Sequence, residues 1–140
     1  MRTTTLQFET GATLVTDVTD PVEALVRDAA REGSAREGLA HLFLPHATCG
    51  LALVETGSGS EGDLADAVER LLPRGAAYRH RHGSTGHGAD HVLPAFVSPS
   101  LVLPVEDGRL LLGTWQRVVI VDPNRDNATR TLRVSFVPVP

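Results

Sequence analysis

The chain has no lysine: all thirteen of its basic residues are arginine. That excludes a Schiff-base lysine and the lysine of a phosphate-binding P-loop. It has one cysteine, Cys49, so no disulfide can form within the chain. Aromatic residues make up only 4% of the sequence, which leaves Val, Leu and Ala to build the core. No stretch approaches the roughly 20 apolar residues of a membrane-spanning helix. The opening MRTTTLQFET carries no apolar run, so a cytoplasmic location without membrane attachment is the expectation. Positive charge is also not in excess. The formal charge of −4 argues against a nucleic-acid partner bound through phosphate neutralisation.

What is present is enough for one domain. At 140 residues, with 41% of them apolar, the chain reads as a single unit over residues 1–140 with a core of its own. Two segments show helical periodicity. In DPVEALVRDAAREG, Asp20 stands as the N-cap, Pro21 at the first helical position and Glu23 at the third, with Val22, Leu25, Val26 and Ala29 as the apolar stripe and Gly33 as the stop. The second begins near Ser60, carries Leu64, Ala67, Val68, Leu71 and Leu72 along one side, and stops at Pro73.

The remainder reads as strands. TTTLQFE and TLVTDV flank Gly11 as a hairpin, LAHLFL and GLALVE flank PHATC, and SLVLPV, GRLLLG, TWQRVVIVD and ATRTLRVSFV follow. Asp107-Gly108 is a tight-turn signal, and PNRDN reads as the turn of a second hairpin. Strands joined mostly by hairpins, with two helices to cover them, give an α+β layer fold with antiparallel or mixed sheet. Trp115, the only Trp, is expected to be buried.

The chemistry concentrates in YRHRHGSTGHGADH, residues 78–91, which holds four of the six histidines. His80 and His82 share a face if the segment is extended. His87 and His91 share one if it is helical. Either pair offers two imidazoles to one metal, whereas a catalytic zinc takes three protein ligands and an open position. A solvated polar loop is the competing reading, since the spacing matches no strong zinc signature. His46 ends an apolar strand and Glu55 ends the next, both places where reactive groups are displayed. Cys49 beside His46 is more often a small core residue than a nucleophile. TGSGSEGD offers free N–H groups at a helix start, and Asp63 there complements the helix dipole.

These pieces, in this order, resemble the YjbQ family, whose members are often called secondary thiamine-phosphate synthase enzymes. SLVLPVEDGRLLLGTWQRVVIVD is similar to the family's signature of Ser, spaced aliphatics and Gly-Thr-Trp-Gln. PHATCGLALVE places His46 and Glu55 on family positions, the following helix places Asp63, AAYRH places His80, ADH places His91, and the last strand places Arg130. Thr48-Cys49 replaces a Ser, Val54 an Asn, Gly86-His87 an Asp-Asn pair, and Asp90 a small residue.

The resemblance implies an α+β sandwich assembled as a homotrimer, with a pocket between subunits that holds a divalent metal. The metal would be zinc or similar, with magnesium as the other option. It implies His46, His80 and His91 as metal ligands and Glu55, Asp63 and His46 as catalytic groups. Arg130, Gln116, Thr48 and His87 would bind a small phosphorylated substrate. The implied reaction couples a hydroxymethylpyrimidine diphosphate to a thiazole phosphate and releases pyrophosphate. A metal-dependent hydrolase or transferase acting on another phosphorylated small molecule stays open. So does a non-catalytic trimer with a structural metal. His82 has no family counterpart and reads as part of a solvated turn.

Overall fold

A computed structural model describes residues 2–139 of the chain. The strands are β1 (Arg2–Glu9), β2 (Val15–Asp17), β3 (Gly38–Phe43), β4 (Gly50–Val54), β5 (Ser100–Glu106), β6 (Arg109–Leu110), β7 (Arg117–Val121) and β8 (Thr129–Pro138). They form a five-stranded sheet in the order β1-β8-β3-β5-β6 and a three-stranded sheet in the order β2-β7-β4. Every pairing is antiparallel. The helices are α1 (Thr19–Glu32), α2 (Ser60–Leu71) and the short α3 (His87–Val92), which runs into a 3-10 turn over Leu93–Ala95. The α+β class and antiparallel sandwich agree with the sequence reading. The third helix is new: it lies inside the histidine segment, too short for periodicity to reveal.

Strand β7 shows how the layers are joined. Its side chains alternate across the small sheet. Val118 and Ile120 enter a core with Val22, Val26 and Ala30 of α1 and with Leu132, Val134 and Phe136 of β8. Val119 and Val121 face the other way, into a second core with Leu72, Ala89 and Leu93. All four β7 residues are fully buried. The small sheet is therefore apolar on both faces. The outer face is covered by α3 and, more thinly, by α2, none of whose residues is buried.

Several local expectations change. β1 and β2 do not form a hairpin. β1 pairs with β8 over eight residues and β2 pairs with β7 in the other sheet. Alternation identifies a strand and its inner face but not its partner, and the longer register with β8 wins. PNRDN likewise joins strands of different sheets and is no hairpin turn. A two-residue hairpin joins β5 to β6. There Asp107 (φ 52°) and Gly108 (φ 73°) both take the left-handed conformation that such a turn needs. The α1 start is held by Asp17, not Asp20: its Oδ1 accepts from the Thr19 N–H at 2.9 Å and from the Thr19 hydroxyl at 2.7 Å. Asp20 instead pairs with Arg117 at 2.8 Å. Trp115 is 72% exposed, in the turn that leads into β7.

The two sheets are tied by a buried ion pair. In β8 the even positions 132, 134 and 136 face the core, and Arg130 continues that row. In β7 positions 118 and 120 do the same, and Asp122 continues theirs. The Arg130 guanidinium meets the Asp122 carboxylate with Nε to Oδ2 at 2.6 Å and Nη2 to Oδ1 at 3.0 Å. Thr10 donates its hydroxyl to Asp122 Oδ2 at 2.6 Å, and Thr48 accepts from Arg130 Nη2 at 3.1 Å. Arg130→Leu leaves the Asp122 charge buried without its partner, a change that typically costs about 3–5 kcal/mol. Urea unfolding should show a loss of that order, and Arg130→Met combined with Asp122→Leu should lose less than Arg130→Leu. A loss below about 1 kcal/mol for Arg130→Leu, the range of a surface pair, would remove the pair from its structural role.

Candidate metal centre

Pro73 follows the end of α2, and the chain then runs without regular structure to α3. His80 and His82 lie on this run. Gly83 (φ 82°) and Gly86 (φ 87°) turn it back on itself. Gly86 leads into α3, whose one-turn spacing sets His87 and His91 side by side. Both histidine pairs therefore arise, and the turn folds one pair onto the other. Each of the four imidazoles presents a nitrogen, and these nitrogens all lie within 4.8 Å of one another. Ring centroids are 4.0 Å apart for His80 and His82, 4.2 Å for His80 and His91, and 4.7 Å for His87 and His91.

The donor atoms suit a cation. His80 Nε2 is buried and has no hydrogen-bond partner among the described residues. His87 Nε2 and His91 Nε2 are 3.1 Å apart, close to the ~3.3 Å separation of two nitrogens on one tetrahedral zinc with Zn–N bonds near 2.05 Å. Burial, then the neighbouring imidazoles, holds His80 and His91 below the ordinary histidine range. They are thus held in the neutral form that ligates metal.

The surroundings bring in Arg74, Asn124 and Asp126, which the sequence reading did not single out, beside Asp90, which it did. Arg74 pairs with the fully buried Asp90 and donates to the carbonyls of Pro123 at 3.0 Å and Thr85 at 3.1 Å. Burial raises the Asp90 carboxyl above its usual range, and the Arg74 charge opposes that rise. Asn124 and Asp126 each approach His87 Nδ1 at 3.0 Å. The turn-rich PNRDN was the available signal for these last two, but nothing in it tells which residues the fold carries to a histidine.

The other expected site residues are placed elsewhere in the chain. His46 is not among the four histidines. Its Nε2 accepts the Thr131 N–H at 2.9 Å, so that nitrogen already has a partner. Arg130 does not present a free fork to an anion: it is 2% exposed and bound to Asp122. Thr48 is its acceptor. Gln116 is exposed, and its Oε1 accepts from Gly113 N–H at 2.8 Å. Glu55 and Asp63 are exposed and outside the histidine group. His82, expected in a solvated turn, is exposed but joins the group. Cys49 is fully buried, and burial pushes its thiol up to about 12, which removes it as a nucleophile.

A family model described as UPF0047 protein YjbQ-like matches residues 4–138. The chain belongs to the YjbQ family. A UPF0047 protein of Mycobacterium tuberculosis is 51% identical over 137 residues, covering 98% of each chain. Among solved structures, the YjbQ fold appears in a hypothetical protein from Aeropyrum pernix at TM-score 0.87 and 26% identity, covering 99% of this chain and 100% of the other. A conserved hypothetical protein from Thermus thermophilus matches at TM-score 0.79 and 30% identity, covering 96% and 99%. None of these names carries a reaction, so the chemistry has to come from the site.

His46 gives a pH prediction. Burial first and the positive charge of Arg130 second hold it below the ordinary histidine range, and the Thr131 N–H needs its lone pair. A depressed histidine pKa means that the unfolded chain takes up a proton before the folded one does. Its stabilising contribution is complete above the unfolded value of about 6.5 and declines as pH falls below that. Urea unfolding at pH 7.5 and 5.5 should show the decline, and His46→Gln should lose less over the same interval. An equal loss in both proteins would show that His46 is not the group responsible.

Proposed function

We propose that this YjbQ protein is an enzyme that holds a divalent transition metal on His80, His82, His87 and His91 and acts on a small phosphorylated substrate. The observation that carries the reading is the set of four imidazole nitrogens, one of them buried and without a hydrogen-bond partner among the described residues. Neutral imidazoles suit zinc, nickel, copper or iron. Magnesium prefers an octahedron of oxygen ligands and is the poorer fit to this donor set. When bound, such an ion supplies Lewis acidity to a phosphoryl oxygen. A cleft lined by Tyr78, His80, Arg81, His82 and Thr85 opens beside the cluster. Arg79 and Arg81 are exposed along this segment, where they can meet substrate phosphate.

The first activity to assay is the coupling of hydroxymethylpyrimidine diphosphate to thiazole phosphate with release of pyrophosphate. Family membership supports that choice, and hydrolysis of phosphorylated small molecules on the same site is the next to assay. The second reading is a structural metal in a non-catalytic protein. What favours it is that four protein ligands can close a tetrahedral site. Under the enzyme reading His82, the exposed member, is the ligand that yields its place to substrate. A homotrimer with its pocket between subunits is part of the proposal. It is supported by the exposed apolar side chains Leu71, Phe96, Leu111 and Trp115, which a second copy would cover. It would also give Glu55, Asp63 and His46 a route to a site that they do not reach within one chain. A free Cys49 in a chain without a disulfide fits the reducing cytoplasm.

Calorimetric titration of untagged protein with Zn²⁺ or Ni²⁺ at pH 7.5 should give one ion per chain. His80→Ala and His91→Ala should each abolish stoichiometric binding, and His82→Ala should weaken it while leaving a three-histidine site. Wild-type affinity in both His80→Ala and His91→Ala would sink the metal site. Loss of turnover in metal-free protein and its return with added Zn²⁺ would support the enzyme. Bound metal with no turnover on either substrate class would favour the structural reading. Sedimentation should show a trimer at micromolar concentration. A stable monomer there would remove the between-subunit pocket.

A further inference from the structure

This inference does not depend on the metal site. At the C-terminal end of α1, a cavity of about 360 Å³ lies between that helix and the β5–β6 hairpin. Its size is within the range of small-molecule sites. It shares no residue with the histidine group. Its floor is made of small residues. Ala30 of α1 and Gly108 of the hairpin turn are both buried, and a Cβ at Gly108 would sit 3.5 Å from the Ala30 Cβ. Little side chain stands between helix and hairpin, so the space above them is left open. Four arginines rim it. Arg27 and Arg31 are one turn apart on α1, Arg36 follows the helix, and Arg109 opens β6.

The charges are sorted about α1. Asp28 and Glu32 lie on the flank that faces Thr4 and Leu6 of β1, away from the arginines. Asp107 is the one carboxylate among the residues that line the cavity. Its Oδ1 meets Arg36 Nη2 at 2.5 Å. Glu106 stands opposite Arg109 in the hairpin register, and Glu37 accepts the Asp107 N–H at 3.1 Å, but neither lines the cavity. Arg27, Arg31 and Arg109 make no ion pair among the described residues. Like charges four residues apart, as on Arg27 and Arg31, destabilise a helix. The helix dipole favours a basic residue in the last turn, which accounts for Arg31. It does not account for Arg36 and Arg109, which two other segments bring to the same cavity.

We propose that this cavity binds the oligophosphate group of a small molecule, a diphosphate or longer. Four positive charges and one negative line it, an excess of three. A single phosphate ester carries about −1.5 to −2 at pH 7 and leaves part of that excess unmatched. Linked phosphates supply the remaining charge. A guanidinium binds phosphate oxygens through paired N–H groups, and forks arriving from three segments suit a group with oxygens on every side.

Calorimetric titration of metal-free, untagged protein with sodium pyrophosphate, at pH 7.5 and constant ionic strength, should show binding that inorganic phosphate matches only weakly. Arg31→Gln and Arg109→Gln should each weaken it by about tenfold or more, the effect of losing a hydrogen bond to a charged group. Asp107→Asn should tighten it. That change removes the lining carboxylate and releases Arg36, and Asn tolerates the left-handed backbone there (φ 52°). Arg70→Gln, on the exposed side of α2, and Arg81→Gln, on the histidine segment, should leave the affinity unchanged. All the substituted arginines are exposed, so the variants should fold, which a thermal melt checks. Wild-type affinity in the Arg31→Gln/Arg109→Gln double variant would overturn the site. An equal loss in Arg70→Gln would reduce it to general surface charge, and a loss in Arg81→Gln alone would move the anion to the histidine segment. Wild-type protein that binds no pyrophosphate would overturn the proposal outright and leave the metal site untouched.

Discussion

The arrangement depends on one buried charge pair. Arg130 and Asp122 each extend a core-facing row of a different sheet, so the alternation that buries Leu132 and Ile120 also forces these two charged residues inside. An isolated buried charge would be strongly unfavourable. Here each charge answers the other with two hydrogen bonds, and Thr10 and Thr48 take up further valences. The pair thereby fixes where the end of β7 sits against β8, and with it the position of the loop between them. Hydrophobic contact alone would hold the sheets together but would tolerate sliding.

That loop carries the fix to the histidines. Asp122 Oδ1 accepts the Asn124 N–H at 3.0 Å, and Asn124 organises its own turn through Asp126 and Asn127. The same asparagine and Asp126 then meet His87. A second tie runs from Arg74, at the end of α2, to the Pro123 carbonyl and to Asp90 of α3. The histidine segment has little regular structure of its own, yet both its ends are bonded to the β7–β8 loop. An imidazole cluster needs such support, since four rings brought together without a cation bury donors and acceptors that must otherwise find partners.

The sequence allowed much of this to be read and concealed a definite part. Alternation showed the strands, and the stops at Gly33 and Pro73 bounded two helices, because those signals are local. Spacing showed that His80 and His82, and His87 and His91, could each share a face. It could not show that the turn at Gly83 and Gly86 would stack one pair on the other, which is why His82 seemed dispensable. Strand partners were misread at β1 and β2 because pairing is a competition among distant segments. The partners of Arg130 and His46 were hidden for a similar reason. The resemblance implied an anion-binding fork and a ligand, and within the chain the guanidinium is bound to Asp122 and one imidazole nitrogen to the Thr131 N–H. Trp115 was expected inside on the strength of its side chain alone, and an exposed loop overrode that.

The departures from the family's sequence pattern gain meaning from their location. On the sequence resemblance, His87 takes the place of an Asn and Asp90 that of a small residue, three positions apart on α3. In the fold their side chains approach each other, with Asp90 Oδ2 3.7 Å from His87 Nδ1. A buried histidine in place of an asparagine introduces a ring whose proton location must be settled. A buried aspartate in place of a small residue introduces a charge that must be balanced. Arg74 balances the charge. Asp90 without Arg74 would be an unpaired buried carboxylate, so α3 can carry the acid inside only because the segment after α2 delivers the guanidinium to it.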